Sequence, residues 1–471
     1  MAKAQQRIGS GKTVYFFISI QNEPAARLLV VFVKSFLGVR KVLKSFYFGA
    51  AIASLTLIPT LAQAAGPGSP AMVAATQGAV GAVDHFYRAR GNAPLWFEAG
   101  RESAAAVELV SLLKRATLDG LASGPRIASQ IERAIAAAQR DPRHMAEAER
   151  MMSSALVVYV QALRALTPGM IYGEPGMPTG APQASIVLRD ATQAPSLTSY
   201  LASVSQVNPT YAALRQAALS SGGEPSPVIR ANLERARAIP AEGRFVLVDA
   251  AAAKLFMYEN GRAVDSMKVI VGKPQYATPM IASRIHYATL NPYWHMPDHL
   301  VRELVAVNVV KQGLNYLTAR GYEVVSEYSE DAQVLSAASV DWKGVAAGTA
   351  TAKIRQLPGA NNSMGSVKFS FANGEGIYLH DTPDKALFAK DVRTLSNGCV
   401  RLEDAPKLAR WLMGTELSAM SSRPEQHVRL PKAVPIYITY LTANPSGEAL
   451  TFVDDVYGRD AQRLAKTASL N

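Results

Sequence analysis

The hydrophobic pattern changes period at Arg244, and that switch constrains the fold of this 471-residue chain more than any other feature. From about Val83 to Arg237, alanine, leucine and arginine dominate, and apolar residues recur three and four apart, as in "AAAVELVSLLKRAT" and "ALVVYVQALRAL". "RIASQIERAIAAAQRD" sets its charges on one face and its isoleucines and alanines on the other. Pro168-Gly169 reads as the stop of the "ALVVYVQALRAL" helix, and the proline and glycine between Gly169 and Pro182 predict a long loop. Beyond Arg244, "RFVLVDAAAAKLFMYENGRAVDSMKVIVG" is built of short β-rich runs, with Asn260-Gly261 as a hairpin turn. A helical domain followed by a mainly-β domain makes the chain a multidomain α+β protein.

Further strands are expected in "RIHYATLNPYW", "SVKFSFAN", "GIYLH", "GCVRL" and "AVPIYITYLTA". One helical stretch interrupts them. "PDHLVRELVAVNVVKQGLNYLTARGYEVV" has helical spacing, an N-cap candidate in Asp298 and a C-cap candidate in Gly321. Residues 296–360 therefore read as an inserted helical subdomain, a candidate lid. The expected order is a leader and N-terminal extension over 1–64, a helical domain over 65–240, a β domain over 241–445 and a tail over 446–471 packing on the rest.

The leader reading rests on Arg40, Lys41 and Lys44 before an apolar run from Phe46 to Leu61, closed by Ala62-Gln63-Ala64. This predicts export to the periplasm. An inner-membrane anchor is the alternative, because "RLLVVFVKSFLGV" lies upstream; Lys34 interrupts it, and neither run reaches roughly 18 uninterrupted apolar residues. Without residues 1–64 the chain holds 41 basic and 36 acidic residues, a net charge of +5. That balance, with no arginine-rich stripe or aromatic platform, excludes a nucleic-acid binder and suits an anionic polymer surface.

Cys399 is the only cysteine, so no internal disulfide can form. A buried, inert thiol is the ordinary reading of such a residue. Its neighbours argue otherwise. His380 ends an apolar run read as a strand, and both it and Cys399 lie at strand ends, where loops present side chains to ligands. A separation of 19 positions excludes one helix and requires two adjacent strands. There the imidazole can take the thiol's proton or hold it as an ion pair. Gly398 permits an unusual backbone angle or a close approach. Arg401, two residues past Cys399, points to the same face and can grip a carboxylate or stabilise a thiolate; an ion pair with Glu403 is the plainer alternative. Asp404 caps the helix "APKLARWLMG", ended by Gly414, so Cys399 opens a strand and gains nothing from a helix N-terminus. His295 and His299 are four apart, but Pro297 lies between them and no HExxH pattern is present, which argues against zinc. No metal or organic cofactor is called for.

"HDTP" from His380, followed by "SNGCVRLE" from Ser396, resembles the active-site signature of the YkuD-type L,D-transpeptidases, bacterial enzymes of peptidoglycan. The segments "RFVLVD…YWHMP", "KIRQLPGANNSMGSVKFSFANGEGIYLHDTP" and "IYITYLTA…DVYGRD" are similar to the large periplasmic, YcbB-like branch. "FYRARGNAPLWF" and its alanine-rich surroundings resemble that branch's helical scaffold domain more weakly. The resemblance implies a β-sandwich catalytic domain with an inserted capping subdomain. It implies Cys399 as nucleophile on the third residue of a tetrapeptide stem, His380 as general base, and a thioester resolved by a second stem into a 3→3 cross-link. It implies the Cys399 N–H as an oxyanion donor aided by the Tyr378 hydroxyl, and Gly398, Ser396, Asn397, Asp381 and Arg401 as substrate-side positions. Trp294, where the lid begins, is a candidate for the substrate channel, with core packing as its plainer role. Peptidoglycan stems are the implied partners, with peptidoglycan synthases as candidates and carbapenem acylation of Cys399 as a corollary.

Two departures stand out. Asn397 replaces the histidine of many members, and His380-Asp381 replaces the common His-Gly. The peptidoglycan-binding module that branch often inserts has only about residues 210–240 available, too few for a domain. An L,D-carboxypeptidase or cysteine amidase, in which water resolves the thioester, and a non-catalytic wall-binding scaffold are the competing functions. Papain-like hydrolases are disfavoured because their cysteine precedes the histidine.

Overall fold

The computed structural model describes residues 3–7, 15–19, 70–177, 180–220, 226–329, 331–417, 423–446 and 449–468. The leader expected at residues 40–64 lies outside the described residues. Residues up to Ile58 form one unit, with Lys3–Arg7 pairing antiparallel to Tyr15–Ser19; the chain from Pro59 forms a second. Among the described residues no helix is long and apolar enough to cross a membrane.

In the second unit the helical spacing becomes helices Ala104–Arg115, Gly124–Arg140 and Met145–Leu163, followed by four shorter ones ending at Ala236. Ser103 caps the first, its hydroxyl accepting from the Ala106 N–H. Met145–Leu163 is the central helix, burying Met152, Leu156, Tyr159 and Leu163, and it ends at Leu163, ahead of Pro168. Buried Glu149 on this helix accepts from the main-chain N–H groups of Leu95 (2.8 Å), Trp96 (2.8 Å) and Phe97 (3.0 Å) and from the Tyr87 hydroxyl (2.6 Å). The three main-chain donors fasten "NAPLWF" to the bundle, and the phenol ties in the helix Pro70–Ala89 that precedes it. Asp119 plays the same part further along, taking both arms of Arg215 (2.7 and 2.9 Å) and the hydroxyls of Tyr211 (2.6 Å) and Tyr159 (3.0 Å).

The stretch expected as one long loop after Gly169 instead contains strand β1, Met170–Tyr172. Three residues between glycines are too short to show a period, which is why the sequence concealed it. Before the insertion the β domain body adds β2 (Phe245–Asp249), β3 (Lys254–Glu259), β4 (Arg262–Gly272) and β5 (Met280–Leu290). Asn260 and Gly261 both have positive φ (49° and 76°), as the β3–β4 hairpin requires.

The insertion carries β6 (Trp294–His295), β7 (Tyr322–Val325), β8 (Val334–Leu335) and β9 (Lys353–Gln356) in the order β6-β9-β7-β8. Thus the segment read as helical holds a small sheet beside its helices, and the expected strand "RIHYATLNPYW" breaks at Asn291 (φ 47°) and Pro292. Its helix starts at Asp298 with Pro297, not Asp298, at the cap, passes through a π-helical stretch at Val301–Ala306 and breaks at Gly313 (φ 76°); a short helix, Asn315–Ala319, then closes at Gly321 (φ 64°), whose N–H donates to the Thr318 carbonyl at 3.1 Å. Asp298 pairs with Lys353 at 3.0 Å instead of capping. Met296, Val301, Val305, Trp342 and Ile354 give this subdomain a core of its own.

Back in the body follow β10 (Val367–Phe371), β11 (Tyr378–His380), β12 (Thr394–Ser396), β13 (Val400–Leu402) and β14 (Gln426–Thr439). The order is β10-β11-β13-β4-β3-β2-β14-β5, and β10 also pairs with β5, so the folded-over sheet closes on itself. β1 adds to β5 in parallel, Met170 opposite Met280. The helical and β regions consequently share a sheet as well as a core. At the junction, a Cβ on Gly173 would lie 1.7 Å from the Ala372 carbonyl oxygen. Gly173→Ala is expected to lower unfolding stability by about 2–3 kcal/mol through forced separation of these backbones; a denaturation midpoint equal to the parent's would refute it.

The tail helix Arg459–Ala468 turns back onto the scaffold, where Asp460 pairs with Arg235 at 2.6 Å and Arg463 with Glu234 at 2.8 Å.

Candidate active site

β11 and β13 run parallel and adjacent, with His380 opposite Arg401. Strand pairing thereby closes the 19-residue gap between His380 and Cys399, which immediately precedes β13. Tyr378, His380, Ser396, Asn397, Cys399 and Arg401 line one cavity of about 510 Å³. Trp294, His295, His299 and Tyr328 of the insertion line it from the other side. Trp294 lines this cavity and also packs against the insertion's core.

The loop that carries Cys399 is shaped by two small residues. Gly398 has φ +112°, a conformation that a residue with a Cβ rarely adopts, and does not itself line the cavity. The buried Ser396 hydroxyl accepts from the Gly398 N–H (3.1 Å) and donates to the Cys399 carbonyl (2.6 Å), so its bonds go to the loop. Asp381 likewise acts differently from a substrate-side residue: its carboxylate takes the Ser366 N–H and hydroxyl (both 2.9 Å) and Lys385 (2.8 Å). Its carbonyl is what reaches the site, accepting from His380 Nδ1 at 2.6 Å.

A carbonyl can only accept, so Nδ1 carries the proton and the neutral ring keeps its lone pair on Nε2. Burial, reinforced by the charge of Arg401, lowers the His380 pKa to about 4. Burial raises the Cys399 thiol to about 11, against the favourable pull of the Tyr378 N–H and the positive charges of Arg401 and Lys368. The resting pair is therefore thiol and neutral imidazole, not thiolate and imidazolium. Such a pair works by proton transfer as the sulfur attacks, the general-base arrangement.

Arg401 does not pair with Glu403, whose carboxylate takes the Lys268 N–H. It faces Asp384 at 3.7 Å, and its Nε is buried without a partner, which leaves donor capacity for a carboxylate ligand. Lys368 was not singled out from the sequence. It sits opposite His380 on β10, pairs with Glu425 at 3.4 Å and lies 5.7 Å from the Tyr378 ring centroid. The alternation in "SVKFSFAN" does set it on the face away from Val367 and Phe369, the signal that could have found it. His295 stacks on Tyr328 and His299 on Tyr276, with ring centroids 4.9 and 5.1 Å apart. His299 Nε2 is buried without a partner. The two histidines occupy different elements, and among the described residues no cluster of three or more His, Cys, Asp or Glu could hold a metal ion.

Residues 243–436 match the YkuD family, described as the L,D-transpeptidase catalytic domain, and residues 81–217 match the Scaffold domain family. A Haemophilus influenzae protein named provisionally as an L,D-transpeptidase is 29% identical over 238 residues, 49% of this chain and 47% of that protein. The chain thus spans about half the length of that curated relative. An L,D-transpeptidase from Mycobacterium smegmatis is 14% identical over 42% of this chain and 59% of its own, with a TM-score of 0.21. L,D-transpeptidase 3 from Mycobacterium tuberculosis is 12% identical over 42% and 62%, with a TM-score of 0.20.

Proposed function

We propose that this chain, an L,D-transpeptidase of the YkuD family with the Scaffold domain of the YcbB-like branch, forms 3→3 cross-links in peptidoglycan through a thioester on Cys399. The observation that carries this reading is the pair of Cys399 and a His380 whose Nε2 is left basic, both in one cavity roofed by a separate subdomain.

Cys399 Sγ attacks the carbonyl of the third stem residue, meso-diaminopimelate, while His380 Nε2 takes the thiol proton. The negative oxygen that forms is met by the Cys399 N–H and the Tyr378 hydroxyl. The C–N bond to the terminal D-alanine breaks, its amine takes the proton from His380, and a thioester remains. The side-chain amine of a second stem then attacks the thioester, releasing the thiol. Arg401, with its unpaired Nε, binds a stem carboxylate. The roof excludes water, which favours the amine over hydrolysis.

The periplasm is the compartment proposed for this reaction, on the leader expected from the sequence of residues 1–64, with peptidoglycan synthases as candidate partners. A carbapenem, offering a strained carbonyl to the same sulfur, is expected to acylate Cys399.

The test is mass spectrometry of disaccharide-tetrapeptide after incubation with the protein and with Cys399→Ala. A dimer lacking one D-alanine, made only by the parent, is expected. Tripeptide without dimer would mean a carboxypeptidase, and unchanged substrate with both proteins would remove the wall-enzyme reading for this donor.

A further inference from the structure

The loop between β4 and β5, residues 273–279, contributes no residue to the chemistry above, yet it is bonded to the nucleophile loop. Thr278 is fully buried; its hydroxyl accepts from the Gly272 N–H (2.8 Å) and donates to the Gly398 carbonyl (2.7 Å). Gly272 supplies its own proton, so the single hydroxyl proton is committed to Gly398. The Lys273 N–H donates to the Ser396 carbonyl at 2.9 Å, a second tie between the same two loops. The turn is tight: a Cβ on Gly272 would lie 1.9 Å from the Tyr276 carbonyl oxygen. From behind, the Tyr457 hydroxyl donates to the Gly272 carbonyl (2.6 Å) and Arg459 Nη2 to the Thr278 carbonyl (2.8 Å). Arg459 is itself held over the Tyr440 and Tyr457 rings, 5.0 and 5.2 Å from their centroids.

A trans peptide is planar, with its C=O and N–H pointing in opposite directions. Fixing the Gly398 oxygen therefore fixes the direction of the Cys399 N–H, the other end of the same unit. Gly398, at φ +112°, has no Cβ to restrict that plane, so the restriction must come from a bond. The strand ladder begins only at Val400 and supplies none. Donation to the carbonyl also polarises the peptide and strengthens its N–H as a donor.

We infer that Thr278 is a positioning residue, which aims the Cys399 N–H at the oxygen of the tetrahedral intermediate, and that Tyr457 and Arg459 brace it from the C-terminal segment. The inference rests on the reading that Cys399 attacks a carbonyl, but not on which wall fragment carries that carbonyl.

Two small reagents separate aim from thiol reactivity. With p-nitrophenyl acetate, the sulfur forms a C–S bond, the C–O bond to p-nitrophenolate breaks, and the thiol proton passes through His380 to solvent; an oxyanion forms on the way. With iodoacetamide, the sulfur displaces iodide and no oxyanion forms. Thr278→Val, nearly isosteric, is expected to slow acylation about 10- to 100-fold while alkylation stays within about twofold, a split that loss of packing or of thiol reactivity does not produce. Thr278→Ser restores the hydroxyl and is expected to recover acylation to within a few-fold of the parent. Equal acylation by parent and Thr278→Val, or parallel loss of both reactions, overturns the inference alone. A parent that is alkylated but never acylated overturns the acyl-transfer reading together with it.

Discussion

His380→Gln should lower the acylation rate of Cys399 by about 10²- to 10⁴-fold, the range for loss of a positioned general base, and should change its pH dependence in kind. In the parent the imidazole is a base only while neutral. Its pKa lies near 4, so activity is retained above that value and lost as pH falls through it. An ordinary imidazole would fail about two units higher. In His380→Gln no base remains, and the reaction follows the thiolate, whose pKa is raised to about 11. Its rate should climb about tenfold per pH unit from neutrality toward that value. Ester acylation followed across the pH range checks both limbs. A parent profile already falling near pH 6.5 would mean that solvent or negative charge reaches the ring when the subdomain opens.

Glu149→Ala carries the largest expected cost in stability. The carboxylate is 3% exposed and is the acceptor for three main-chain N–H groups and one phenol. Alanine would leave the three main-chain donors without a partner, a loss of about 3–5 kcal/mol, while the phenol keeps the Ser153 hydroxyl and the residue-149 carbonyl. Burial and the adjacent carboxylate also hold the Tyr87 phenol well above its usual range, so Tyr87 stays a donor at any ordinary pH and cannot compensate. Chemical denaturation of Glu149→Ala and Glu149→Gln is the measurement, with Gln intermediate because it keeps one acceptor oxygen. Equal midpoints for parent and Ala would show that water replaces the carboxylate at this site.

The features legible in the sequence were those with a local signal. Periodicity marked the helices around Leu109 and Leu156, positive-φ preference marked Asn260-Gly261, and the capping aspartate and closing glycine marked Ala405–Met413. Cys399 and His380 could be singled out by the thiol, imidazole, glycine and arginine around them, and the structure brings both to one cavity. β1 was lost because a three-residue strand has no period, and its partner β5 lies over a hundred residues away. Asp381 was misplaced because a side chain draws attention that its backbone carbonyl does not. Thr278 and Lys368 carry no motif; one is known by a buried hydroxyl bond and the other by strand register. The insertion's sheet was hidden because strands of two to four residues in a small-residue background lack alternation.

The order of the strands also has a consequence in time. β14 fills the gap between β2 and β5, and Arg235 meets Asp460 across 225 residues of sequence. The catalytic ring can close only after nearly the whole chain is available, and such long-range closure makes for slow folding. A chain cut short before β14 leaves β2 and β5 each with an open edge, ready to pair with another copy. Products cut short before β14 should therefore aggregate without passing through an active form, so that reactivity at Cys399 reports a chain that has gained β14.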